Sequence, residues 1–129
     1  VTWSDGASYE GNFQDNELHG EGTYTWPDGR VYTGQWVENQ MQGLGKTSWT
    51  DGRLFQGSYV QDQKHGDGCF RWADGRQYFG QWLAGKQHGK GRFLNSKGLV
   101  QEGEWQDGER LRWLAAEREL QPSDNFMQK

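Results

Sequence analysis

Apolar and polar positions alternate with a period of two over most of the chain. Tyr9, Gly11 and Phe13 alternate with Glu10 and Asn12, and Gly22, Tyr24 and Trp26 alternate with Thr23 and Thr25. This alternation marks strands with one buried and one wet face. The pattern returns every 23 residues. Trp3, Trp26, Trp49 and Trp72 keep that step, as do Tyr9, Tyr32, Phe55 and Tyr78, until Asn95 and Gln101 interrupt the two columns. Asp-Gly recurs at Asp5-Gly6, Asp28-Gly29, Asp51-Gly52 and Asp74-Gly75, with Lys97-Gly98 one step on. A repeat this regular specifies the architecture before any single residue does.

Each unit reads as two strands. A long hairpin loop is expected between them, as over Gln14 to Gly20, and Pro27-Asp28-Gly29 turns the chain into the next unit. Asn16, Asn39, Asp62, Gly85 and Gly108 share one column. These residue types most easily adopt positive φ, so the column predicts a left-handed turn position repeated five times. A last strand runs from about Gln101 to Trp105. The predicted fold is all-β: a linear array of antiparallel hairpins forming one elongated twisted sheet, each unit advancing ~10 Å. Tyr32, Gly34, Trp36, Gly45 and Trp49 fall on one face, with glycines leaving room for rings over the backbone. Thr33, Gln35, Lys46, Ser48, Gln56 and Ser58 fall on the other, which should face water.

The array is assigned to residues 1–108, as a partial N-terminal repeat, four full repeats and a partial final one. Glu109 to Leu120 has no Gly, Pro or β-branched residue, and Leu111, Trp113, Leu114 and Leu120 can share a helix face. A short C-terminal capping helix is predicted over 109–120, covering the last strand edge or docking on the aromatic face. Residues 121–129 read as a flexible tail. The chain opens at Val1 inside the pattern, without a cap at that edge, and reads as an excerpt of a longer protein.

Composition narrows the classes. Only 32% of the 129 residues are hydrophobic, so an aliphatic core is not expected, yet 15% are aromatic, too many for a disordered polymer. No apolar run approaches the ~20 residues of a membrane-spanning helix, and no signal peptide pattern is present. The single cysteine, Cys69, excludes an internal disulfide framework and suits a reducing compartment. A net charge of -4 argues against nucleic acid as a partner.

Candidate chemistry is sparse. His19, His65 and His88 share one column of the repeat, at least one unit or ~10 Å apart, whereas zinc requires its nitrogen ligands at ~2 Å. They read as loop histidines rather than metal ligands. Cys69 lies in a column with Thr23, Lys46 and Arg92, with no histidine-based activation in view. The Asp-Gly pairs are explained by turn chemistry rather than calcium binding. Gly20-Glu-Gly22 and its equivalents lack the strand-to-helix context of a phosphate loop. No catalytic residue, metal or cofactor is assigned.

Tyr32-Thr-Gly34-Gln-Trp36 followed by Gly43-Leu-Gly45 and Trp49-Thr-Asp51-Gly52 resembles the MORN (membrane occupation and recognition nexus) repeat. Tyr9-Glu-Gly11-Asn-Phe13 with His19-Gly20-Glu-Gly22 resembles it too, as do His65-Gly66-Asp-Gly68 and His88-Gly89-Lys-Gly91. Gln42 stands in the usual His position, and Asn95 and Gln101 replace aromatics. The resemblance implies a non-enzymatic role: a scaffold that binds proteins or pairs with itself, in cytoskeletal or membrane-linked assemblies of eukaryotic cytoplasm. It also implies anionic phospholipid binding as an alternative, or service as the targeting module of a larger enzyme.

Two surfaces are candidates. Trp26, Trp36, Trp49, Tyr59, Trp72, Trp82, Phe93 and Trp105 form an aromatic stripe on a single-layer sheet. Exposed apolar stripes mark interfaces, with Trp and Tyr as anchors. The stripe suits an extended or helical peptide segment of another protein, or a second copy as a homodimer. The bland reading is that the rings satisfy one another within the array. Arg71, Arg76, Lys86, Lys90, Arg92 and Lys97 concentrate positive charge in residues 51–100, which hold 8 bases and 4 acids. They are the phosphoinositide-binding alternative, although the acidic segments on either side would be repelled by the same membrane.

Overall fold

The structure is a computed structural model describing residues 1–127 of the 129. Ten strands follow one another in chain order across a single antiparallel sheet: β1 (Ser8–Gln14), β2 (Glu17–Thr25), β3 (Val31–Val37), β4 (Gln40–Ser48), β5 (Leu54–Val60), β6 (Gln63–Arg71), β7 (Gln77–Leu83), β8 (Lys86–Leu94), β9 (Leu99–Gln106) and β10 (Glu109–Trp113). A two-residue strand, β11 (Arg118–Glu119), pairs with β9, and Pro122–Asp124 forms a 3-10 turn. Every pairing is antiparallel, as the hairpin array requires.

The hairpins are tighter than expected. The turn is two residues, not a long loop: Gln14 pairs directly with Glu17 across Asp15-Asn16. Both turn residues take positive φ, 53° and 65°, as a type I′ turn demands. Asn39, Asp62, Gly85 and Gly108 repeat this at 68°, 68°, 84° and 86°, so the predicted left-handed column is present in full. What looked like loop is strand interrupted by a β-bulge. Gly34 pairs with Gly45, but the next pair is Trp36 with Met41. Gly43, inside the bulge, has φ of 92°, which an L side chain adopts only under strain.

Gly45 serves a different need. The Tyr32 ring lies over it, and a Cβ there would collide with that ring. The same holds for Tyr9 over Gly22, Phe55 over Gly68 and Tyr78 over Gly91. These four rings are 0–2% exposed. Three anchor themselves by donating to a carbonyl three residues on: Tyr9 to Asn12 at 2.8 Å, Tyr32 to Gln35 at 2.8 Å, and Tyr78 to Gln81 at 3.1 Å. The core is thus one layer of rings pressed on bare backbone. Units are linked edge-to-face, as Tyr9–Trp36, Phe55–Trp82 and Tyr78–Trp105 with centroids 4.8–5.8 Å apart.

The Asp-Gly turns are built as expected. Asp5, Asp28, Asp51 and Asp74 each accept the backbone N–H two residues on, at 2.9–3.1 Å. The turn columns also link units, since Asn39 Oδ1 accepts from Leu18 N and Asp62 Oδ1 from Met41 N, both at 2.8 Å. At the N-terminal edge Val1–Trp3 runs along β1, with Tyr9 N donating to Val1 O and Trp3 N to Ala7 O.

The predicted helix over 109–120 is not formed. Asp107-Gly108 is the same positive-φ turn as in earlier units and launches β10 back along β9. The open edge of β9 offers ladder hydrogen bonds, and Trp113 lands on the aromatic face against Trp105 and Phe93. These tertiary contacts outweigh the helical propensity of Leu, Ala, Glu and Arg. Leu111, Leu114 and Leu120, which would have lined the helix, are 45–50% exposed.

The tail is also corrected over its described part. Residues 121–127 dock on the face opposite the aromatics. Gln77 Nε2 donates to Met127 O, and Met127 N donates back to Gln77 Oε1, both at 2.8 Å. Asp124, 2% exposed, is held by Arg118 at 2.7 Å. Cys69, Gln77, Leu94 and Val100 are buried here, so this end of the polar face does not meet water. The final two residues of the tail prediction lie outside the described residues.

Candidate protein-binding face

The aromatic stripe divides into two rows. Trp36, Tyr59, Trp82 and Trp105 are 4–7% exposed and belong to the core. Three of them have their polar atoms satisfied internally: Trp36 Nε1 donates to Gly22 O at 3.1 Å, Trp82 Nε1 to Gly68 O at 3.0 Å, and the Tyr59 hydroxyl pairs with Thr47 Oγ1 at 2.5 Å. Trp26, Trp49, Trp72 and Phe93 lie at or just beyond the ends of the second strands and stay half-buried, packed against that core. The structure adds Tyr24, Phe70 and Trp113 to this outer row, and Trp3, 38% exposed, at its start. All four rings were visible as aromatics, but only the packing tells outer from inner.

Cations decorate this row, and the sequence reading passed over most of them. The Arg30 guanidinium lies 3.8 Å from the Trp26 centroid, Arg53 lies 5.0 Å from Trp49, and Arg76 lies 5.6 Å from Trp72. The signal was the Asp-Gly-Arg run in three successive units. Arg53 and Arg76 are ion-paired at 2.8 Å with Asp51 and Asp74, whose carboxyls are held below the usual range by hydrogen bonds from those residues, the side chain of Arg53 first at Asp51 and the backbone N–H of Arg76 first at Asp74. Lys64 occupies the column of Leu18 and Met41, both core residues. Its Nζ lies 5.4–5.8 Å from the rings of Trp49, Phe55, Phe70 and Trp82. Burial, followed by the nearby charges of Arg30 and Arg53, depresses its pKa.

Two depressions open along the face. One of ≈ 520 Å³ is lined by Trp3, Leu18, Tyr24, Trp26 and Trp36 among others. The second, ≈ 120 Å³, lies between Trp26 and Trp49 and includes Arg30, Tyr59 and Lys64. Trp26, Arg30, Met41 and Asp62 line both.

The other candidates are placed differently. Among the basic residues, Arg76 belongs to the aromatic side over Trp72. Lys90 pairs across the strands with Glu104, and Arg92 with Glu102. Arg92 also reaches the carbonyls of Ser123 and Asp124 at 3.5 Å. Lys86 and Lys97 are exposed, and Arg71 is half-buried opposite Gln77. These six residues do not form one uniform cationic patch. Cys69 is buried and donates to Gln77 Oε1 at 3.2 Å, and burial pushes its thiol up to about 11. Tyr59 is likewise pushed up to about 12 by burial, which suits a structural phenol. Among the described residues no three His, Cys, Asp or Glu side chains group to hold a metal ion, and no helix is long and apolar enough to cross a membrane.

Compared with known protein families, the chain matches the MORN repeat four times, at residues 9–29, 32–52, 55–75 and 78–100. Comparison with curated proteins gives no match. Each matched segment coincides with one hairpin and the turn that follows it, the last running on into the first residues of β9. With the ring-on-glycine columns in register across all four, the chain belongs to the MORN repeat family, whose repeats bind proteins or membranes.

Proposed function

We propose that the chain is a non-enzymatic scaffold whose aromatic face binds a segment of another protein. The observation that carries this reading is the outer row. Trp26, Trp49, Trp72 and Phe93 remain half-buried on a single-layer sheet, where no second layer covers them among the described residues. A contiguous apolar surface of this kind marks an interaction site. Trp anchors ringed by Arg match the composition of binding hot spots. The setting we propose is a cytoplasmic assembly linked to the cytoskeleton or to a membrane.

The test replaces Trp49 and Trp72 together by Ser, with circular dichroism to show that the sheet survives. The mass in solution by light scattering and the capture of peptide segments from a displayed library are then compared with the parent. Loss of peptide capture, or of a dimer if the parent forms one, is expected. Unchanged behaviour in both would sink the reading.

A further inference from the structure

Three arginines occupy equivalent positions after the Asp-Gly turns, but they are not equally satisfied. Arg53 and Arg76 bond the aspartate of their own turn. Arg30 makes no ion pair with Asp28 or any other carboxylate among the described residues, and its Nε is buried without a hydrogen-bond partner. Lys64, in β6, makes no ion pair either, and it replaces the apolar side chain that the core uses at Leu18 and Met41. Both cations line the ≈ 120 Å³ depression between Trp26 and Trp49. Asp62 lines it too, with its Oδ1 accepting from Met41 N, and it forms no ion pair with either cation. A buried donor without a partner is costly, and a desolvated cation more so.

We infer that this depression takes an acidic side chain of the bound protein, whose carboxylate enters between Trp26 and Trp49 and pairs with Arg30 and Lys64. The inference rests on the peptide-binding reading above and names the partner's chemistry. The space fits: a carboxylate with its methylene fills about two to three water volumes, ~60–90 Å³. The acceptor would pair with the Arg30 guanidinium and neutralise Lys64 in a site walled by rings, where charge-assisted hydrogen bonds are strong. The adjoining ≈ 520 Å³ depression, lined by Trp3, Tyr24 and Trp36, receives an apolar side chain. The two depressions follow one another by one repeat unit, a step of ~10 Å, so the partner motif is an apolar anchor and an Asp or Glu about three residues apart along an extended peptide.

The experiment pans the full chain against phage displaying random peptides of about twelve residues, long enough when extended to span ~40 Å. Enriched peptides are then synthesised as they stand and with Glu→Gln or Asp→Asn. The expected result is an enriched acidic residue near an apolar one, and binding about tenfold or more weaker for the amide copy. Arg30→Gln and Lys64→Met should each weaken the acidic peptide similarly while leaving the amide copy unaffected; a thermal melt confirms that both variants fold. Enriched peptides without an acid, or amide copies that bind equally well, would overturn the carboxylate site and leave the aromatic groove standing. No enrichment at all would overturn both. Sedimentation with phosphatidylserine vesicles that depends on Arg30 and Lys64, with no acidic peptide enriched, would assign these cations to a membrane and overturn the inference as well.

Discussion

Gly68 and Gly75 are both invisible to a hydrophobicity pattern, yet they are glycine for different reasons. A Cβ at Gly68 would lie 2.5 Å from Phe55 Cζ and 3.2 Å from Trp82 Cδ1. Gly75 has open space around it but a φ of 96°. Gly68→Ala is expected to lose ~1–3 kcal/mol through overpacking. Gly75→Asn should be close to neutral, because Asn tolerates the left-handed region. Thermal denaturation of the two variants distinguishes steric from conformational need. Lys64 makes the opposite case, a residue poorly suited to its place. Lys64→Met restores the side chain of Met41 and should stabilise the chain by ~1 kcal/mol. The sign with pH follows from its depressed pKa. Between that value and the usual 10.5, the unfolded chain holds a proton that the folded one has released, so parent stability rises with pH. The advantage of Lys64→Met should therefore shrink as pH is raised towards 10, measured by urea denaturation of both proteins.

Glu109–Leu120 shows how an edge overrides propensity. An amphipathic pattern supports a helix only if nothing better is available for its backbone, and β9 presents a row of free donors and acceptors. The tail then turns under the sheet, where Arg118, Asp124, Gln77 and Met127 hold it. Removing residues 121–129 should uncover Cys69. Its reaction with Ellman's reagent is expected to accelerate more than tenfold, as the thiol falls from about 11 towards its ordinary 9.0. The bond from Arg118 holds Asp124 below its usual 3.8, so the stability it lends is present above that pH and is lost as pH falls through the lowered value. Amide exchange at Gln121 and Met127 should report that release in acid.

The array as a whole is quasi-linear: each hairpin touches its neighbours and little else. Stability should then be close to a sum of unit and interface terms. Deleting residues 54–76, one step of the repeat, joins Arg53 to Gln77 at an equivalent register position. The shortened chain is expected to fold, with a urea m-value reduced in proportion to the surface removed. A collapse to an unfolded chain would show that the units cooperate beyond their nearest neighbours.

The 23-residue step, the strand faces, the Asp-Gly turns and the left-handed column were all legible before any coordinates, because each rests on local rules repeated four or five times over. Repetition turns weak signals at Asn16, Asn39 and Asp62 into a strong one. Three things required the third dimension. The hairpin turns are two residues because the bulge at Gly43 absorbs the residues that looked like loop, and a bulge is a property of the strand pair. The split of the aromatic stripe into core rings and outer rings depends on which side chain reaches the neighbouring unit, which Trp36 does and Trp26 does only in part. The end of the chain became strand and docked tail because β9 had an open edge and Gln77 a free amide. Local sequence states what a segment prefers in isolation; what lies beside it after folding settles whether the preference prevails.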